Sequence, residues 1–142
     1  MAREIVLDTE TTGFEPREGH RLVELACLEI EDFVPTGRTF HCYIDPERDM
    51  PQEAFEVHGL GDEFLRDKPV FTDVAQAFVD FIGDAKLVIH NAAFDVGFMD
   101  HEFSLVNSAN RANQKVPMTT DICTVTDTLK VSKDEFGSPK TL

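Results

Sequence analysis

The chain has 142 residues, 42% of them hydrophobic and 12 of them Phe, which is one domain's worth of material with enough apolar side chains for a sizeable core. Its net charge of −14 argues against a free-standing nucleic-acid binder, since sequence-independent affinity for phosphate comes from Lys and Arg. It leaves room for a subunit that receives only a strand end, where bound cations reverse the local field. Cys27, Cys42 and Cys123 are far apart and in no Cys-x-x-Cys spacing, so free thiols in a reducing cytoplasm are expected. Met1-Ala2-Arg3-Glu4 is followed by no long apolar run, so neither a signal peptide nor a membrane span is read, and a cytoplasmic protein is expected.

In chain order, Glu4 to Asp8 reads as a central strand stopped by Thr11-Thr12-Gly13. Leu22 to Glu31 and Gly37 to Ile44 read as two more strands of a meander, with Pro35-Thr36-Gly37 as the turn between them. Pro46 and Pro51 close off the sheet edge, and Pro51 to Gly61 holds short helical turns. Val74, Ala77, Phe78, Phe81 and Ile82 recur at helical spacing, with Thr72 placed to cap the start and Gly83 the end. Lys86 to Ile89 returns to a strand, and Asn91 is placed to cap a second helix that runs to about Val106. Strand, helix, strand and helix in that order imply βαβ connections and a parallel half to the sheet. Asn107 to Lys115 reads as a polar surface loop, Pro117 to Ile122 as a last short strand, and Cys123 to Val131 as a helix.

Three carboxylates stand out. Asp8 and Glu10 follow the first strand, and Asp95 follows the strand Leu87-Val88-Ile89. A strand has a side-chain period of two, so Asp8 and Glu10 point to the same side and repel each other. A hard divalent cation removes that repulsion, and Mg²⁺ is commonly held by one or two carboxylates plus water and phosphate oxygens. Asp95 falls within the apolar arc of its helix, among Phe94, Phe98 and Met99. By itself Asp95 could merely complement the helix dipole, worth about 0.3–1 kcal/mol. Asp8 and Glu10 by themselves could be turn residues. Together the three are stronger, because parallel strands deliver their carboxyl ends to one crevice. A strand-end Asp also serves as nucleophile in some phosphotransferases. Such an enzyme calls for a Lys on the phosphoryl group, where His90-Asn91-Ala92-Ala93-Phe94-Asp95 supplies another acid.

Asp8-Thr9-Glu10-Thr11-Thr12-Gly13 and His90-Asn91-Ala92-Ala93-Phe94-Asp95 are similar to the first and second motifs of the DEDD superfamily of 3′-to-5′ exonucleases, and the chain resembles its proofreading members. Pro51 to Leu60 and Phe98 to Phe103 extend the likeness over essentially the whole chain. The resemblance implies an α/β, ribonuclease-H-like fold with a mixed five-stranded sheet flanked by helices. It implies Asp8 and Glu10 as metal ligands, Asp95 as an acid supporting the second metal, and Glu53 and His58 at the terminal nucleotide. Read alone, Glu53 is a surface acid and His58 a turn histidine. Thr9, Thr11 and Thr12 are candidates for backbone or hydroxyl contacts to substrate, and His20, His41 and His101 read as structural or solvated.

The cofactors implied are Mg²⁺ or Mn²⁺, two per complete site, about 3.5–4 Å apart. The partners implied are a single-stranded or frayed DNA 3′ end, a DNA polymerase catalytic subunit and a small stabilising subunit. The family's third motif, a helix with a His base and a fourth Asp, is expected after the helix start at Thr141-Leu142. The chain is therefore expected to be a C-terminally incomplete exonuclease domain, 1–142, inactive or nearly so unless that helix is supplied. An exonuclease of RNA ends and a polymerase-docking module without nuclease activity stand as alternatives.

Overall fold

The structure, a computed structural model, describes residues 3–109 and 116–129. Strand β1 (Arg3–Thr11) is followed by a 3₁₀ turn at Pro16–Glu18, then β2 (Leu22–Glu31), β3 (Val34–Tyr43), α1 (Gln52–His58), α2 (Asp62–Leu65) and α3 (Phe71–Ile82). Strand β4 (Lys86–Ile89), α4 (Ala92–Ala109), α5 (Thr119–Ile122) and β5 (Val125–Asp127) complete the order. The five strands form one sheet in the order β3-β2-β1-β4-β5. β1 pairs antiparallel with β2 and parallel with β4, β2 pairs antiparallel with β3, and β4 pairs parallel with β5. The expected mixed sheet of five strands is therefore present, with β1 at its centre.

Alternation along β1 sets the two faces of the sheet. Ile5, Leu7, Thr9 and Thr11 are buried, while Val6 and Asp8 are exposed. The buried face packs on α3 and α4 through Phe71, Phe78, Ile82, Phe98, Met99 and Phe103. Phe78 lies between Phe40 of β3 and Phe103 of α4, with ring centroids at 5.7 and 6.0 Å. The open face carries Asp8 and the partly covered Glu10 at the end of β1.

Several local readings change. The β2–β3 turn is Asp32-Phe33, both with positive φ (51° and 70°), and not Pro35-Thr36-Gly37. Those three residues belong to β3, where the register breaks between Leu28 and Ile30 and the extra chain folds over Glu29. Glu29 is buried there by Arg3, Thr36 and Arg38, each of which donates to its carboxylate. These hydrogen bonds, Thr36's first, hold its pKa below the usual carboxylate range. Pro35 is tolerated because β3 is an edge strand.

Thr72 does not cap α3, which starts at Phe71 after an extended Val70. Gly83 does end α3, at φ 51°. Asn91 precedes α4 in the left-handed conformation (φ 60°), not in the extended one of a capping residue.

The last two elements exchange type. Thr119–Ile122 is the helix, started by a hydrogen bond from the Met118 backbone N–H to the Asp121 carboxylate, and Val125–Asp127 is the strand. β-branched Val125 and Thr126 pair with Leu87 and Val88 of β4, and this pairing overrides the helical reading at 125–127, while Thr128 and Leu129 are helical and 130–131 lie outside the described residues. α4 runs through Ala109, beyond Val106, and Asn107 closes its end by exchanging two hydrogen bonds with the Val116 backbone. The rest of the expected loop (110–115) and the expected helix start at 141–142 lie outside the described residues.

Candidate active site

The carboxyl end of β1 is where the predicted acids meet. Asp8 and Glu10 share the open face, one pleat apart as expected. His58, the last residue of α1, is brought over them. Asp8, Glu10 and His58 line one cavity of about 250 Å³ together with Glu24 and Ala26 of β2. Among the described residues neither Asp8 nor Glu10 has a hydrogen-bonded or ion-paired partner. Burial, then the charge of Asp8, raises the Glu10 pKa above the usual carboxylate range, with His58 opposing.

Asp95 approaches from beneath. It is 5% exposed, in the first turn of α4, and its Oδ1 accepts a hydrogen bond from the Thr9 hydroxyl at 2.8 Å. Thr9 points to the buried face, so the three acids bracket the end of β1 from both sides of the sheet. The Asp95 carboxyl is pushed up to about 6 by burial, against the Thr9 hydrogen bond, with Asp8, Glu10 and Asp127 adding repulsion. A protein that only needed a helix-dipole partner would not bury that acid beside two others.

Among the described residues no three His, Cys, Asp or Glu side chains cluster tightly enough to hold a metal ion by themselves. The donor set nevertheless fits a hard divalent cation. Two adjacent carboxylates without cationic partners supply the protein share of a Mg²⁺ shell, and water and phosphate oxygens complete it.

His58 is held by the backbone at both ring nitrogens. The Leu60 N–H donates to Nδ1 at 3.0 Å, which fits the tautomer whose Nε2–H donates to the Thr11 carbonyl, also at 3.0 Å. The ring is thereby oriented. Glu10 and His58 also line a smaller groove of about 140 Å³, walled by Ala54 and Val57 of α1 and by Phe14 and Phe94. Phe14 and Val57 are 82% and 80% exposed, an apolar rim beside an acidic floor. That combination suits a nucleoside whose phosphate lies over cations.

Glu53 is exposed on the first turn of α1 and lines neither cavity. The three threonines are engaged within the protein. Thr9 serves Asp95, the Thr11 hydroxyl donates to the Gly13 carbonyl at 2.6 Å, and the Thr12 hydroxyl accepts the Arg21 N–H at 3.0 Å. The Thr11 and Thr12 hydroxyls thus shape the turn. His20 is structural, packed against Gly13, with Nδ1 accepting the Glu15 N–H. His41 pairs with Glu24 on the open face. His101 lines a separate cleft of about 380 Å³ with Phe14, Arg17 and Phe98. All three cysteines are free thiols, and burial pushes the Cys27 thiol up to about 12.

Two acids of the site region were not singled out from the sequence. Asp127, at the carboxyl end of β5, accepts the Asn91 and Leu129 N–H groups and fixes the entry to α4 just before Asp95. Its signal was an acid directly after the β-branched run Thr124-Val125-Thr126. Glu102, 1% exposed, sits two turns after Asp95 on α4 and forks with Arg21.

A mixed sheet in this order, with acids gathered where β1 and β4 end, defines the ribonuclease-H-like exonuclease fold. Solved structures of exonuclease I share it: the apo enzyme superposes with a TM-score of 0.78 over 94% of this chain and 30% of that one, at 17% identity. A second, Escherichia coli exonuclease I in complex with a dT13 oligonucleotide, also gives 0.78 at 16% identity, over 94% of this chain and 29% of that one.

Residues 5–140 match the family model described as Exonuclease, and the chain belongs to that family. It is 49% identical to DNA polymerase III subunit epsilon of Rickettsia felis over 138 residues, 97% of this chain and 58% of that protein. It is equally 49% identical to the subunit of the same name from Escherichia coli over 140 residues, 96% of this chain and 55% of that protein. The chain thus spans a little over half the length of these relatives.

Proposed function

We propose that residues 1–142 belong to the exonuclease domain of a proofreading subunit, which removes nucleotides from the 3′ end of DNA by metal-dependent hydrolysis and releases nucleoside 5′-monophosphates. The observation that carries this reading is the cavity in which Asp8, Glu10 and His58 meet at the end of β1, with Asp95 buried directly beneath. Asp8 and Glu10 would hold the divalent ions, Mg²⁺ or Mn²⁺, with Asp95, oriented by Thr9, as the supporting acid. Ions held there would supply Lewis acidity at the scissile phosphodiester and at the departing 3′ oxygen. The chain's own contribution is position. Phe14, Phe94 and Val57 take the terminal nucleoside and exclude water from its apolar face, and the Leu60 N–H and Thr11 carbonyl hold the His58 ring at its edge. Glu53, one turn before Val57 on α1, is the further candidate for contact with the same nucleotide.

The similarity to the epsilon subunits supports a DNA polymerase III catalytic subunit as partner, with a small stabilising subunit beside it, and a cytoplasmic place at the replication machinery. No helix among the described residues is long and apolar enough to cross a membrane. Preference for mispaired ends follows from fraying, since a mismatched terminus leaves its stack at lower cost.

The test is degradation of matched single-stranded DNA and RNA, and of DNA primer–template duplexes with a paired or a mispaired 3′ end, each labelled at the 5′ end, by the full product of the gene that encodes these residues, with Mg²⁺ or Mn²⁺. The expected result is a ladder shortened one nucleotide at a time on DNA, faster from a mispaired than a paired 3′ end. A preference for RNA would replace the DNA reading with an RNA-end exonuclease, and no shortening at all would leave the docking module.

A further inference from the structure

The pairing of β1 with β2 is irregular at the site. Glu10 pairs with Glu24 and Thr11 with Leu22, so Val23 is an extra residue on β2, opposite the step from Glu10 to Thr11. This bulge frees the Leu22 N–H from the ladder, and the Glu102 carboxylate of α4 takes it at 3.1 Å. The same carboxylate is forked by Arg21, with Nε to Oε2 at 2.9 Å and Nη2 to Oε1 at 2.7 Å. Arg21 in turn clasps Thr12 through two hydrogen bonds, N–H to Thr12 Oγ1 and carbonyl from the Thr12 N–H. From there the Thr11 carbonyl receives the His58 Nε2–H. One buried acid on α4 is thereby linked to the bulge beside Glu10, to the turn after it, and to His58.

The other end of this lever is Asp95, seven residues earlier on the same rigid helix. Glu102 touches no substrate-facing atom, and its side chain is 1% exposed. A buried ion pair is weak evidence for stability, because packed apolar residues often serve as well. Its geometric content is larger: a bidentate guanidinium fixes both distance and angle, which a lysine ammonium does not.

We propose that Glu102 and Arg21 are positioning residues of the nuclease site, setting the spacing between Glu10 on the bulged strand end and Asp95 on α4, and with it the affinity for divalent cations. This rests on the reading of Asp8, Glu10 and Asp95 as the cation site. Residues that orient ligands from outside the coordination shell shift affinity without contacting the ion.

The experiment is a Mn²⁺ titration of the full product of the gene that encodes these residues, followed by the electron paramagnetic resonance signal of free Mn²⁺, on three proteins. They are the unaltered chain, Arg21→Lys, and the double substitution Arg21→Met with Glu102→Leu. Thermal unfolding is run in parallel, with the His58 ring ¹H–¹³C cross-peak as a reporter of the turn. Arg21→Lys keeps the charge and loses the fork; the double substitution removes both charges and leaves none stranded.

Both variants are expected to stay folded, to bind Mn²⁺ roughly tenfold more weakly, and to move the His58 resonance. Either variant, if folded, binding Mn²⁺ like the unaltered chain overturns the inference, because the pair would then matter only to folding. Failure of the unaltered chain to bind Mn²⁺ overturns the cation site itself, and this inference with it.

Discussion

Replacing Asp95 by Asn should stabilise the metal-free chain at neutral pH and do much less at pH 4. Asp95 is 5% exposed and its carboxyl is pushed up from 3.8 to about 6 in the folded protein by burial, despite the Thr9 hydroxyl at 2.8 Å. Because the folded pKa lies above the unfolded one, the folded state holds the proton more tightly. The stability this contributes is complete below about pH 4 and is lost as pH rises through about 6. A rise of that size corresponds to roughly 3 kcal/mol, and partial solvent screening reduces this to about 1–2 kcal/mol. The amide introduced by Asp95→Asn keeps an acceptor for Thr9 and carries no charge against Asp8 and Glu10. The assay is urea unfolding of both proteins in EDTA at pH 4 and pH 7.5. The stability of Asp95→Asn relative to the unaltered chain should rise by about 1–2 kcal/mol between the two pH values. No change between them, or a change of opposite sign, would refute the picture of an acid held against its charge.

Three further outcomes are set by the packing and the turn. Gly13→Ala puts a Cβ 2.1 Å from the His20 ring, so the Thr11–Gly13 turn must shift, at a cost of about 1–3 kcal/mol in urea unfolding. Adding His20→Ala should recover most of that loss. Phe78→Ala, which empties a fully buried position between Phe40 and Phe103, should cost about 3–5 kcal/mol by the same measurement.

The sheet was legible in the sequence where period and composition agree. β2 spans Leu22–Glu31 as read, because its apolar alternation marks the strand even where the turn after it was misplaced. Asp8 and Glu10 were legible for the same reason, since a period of two puts them on one face wherever the strand ends. The β2–β3 turn was misread because Pro35-Thr36-Gly37 has turn composition, yet it serves to enclose Glu29, an acid whose burial needs residues from β1 and β3 together. The exchange of helix and strand after Pro117 has a similar cause: β5 is three residues long, and its identity comes from its pairing with β4. Glu102 was not singled out in the sequence. Nothing local announces that a bulge 80 residues away leaves an N–H for it to accept.

The account rests on Asp8 as a cation-holding acid at the hydrolytic centre, and the release of 3′-terminal nucleotides from single-stranded DNA with saturating Mg²⁺ tests it most directly. The assay compares the full gene product with its Asp8→Ala variant, both verified to be folded. The expected result is a loss of at least about a hundredfold in rate with Tm little changed, since Asp8 is exposed and unpaired among the described residues. A folded Asp8→Ala protein that releases nucleotides at the unaltered rate would contradict the assignment of this site.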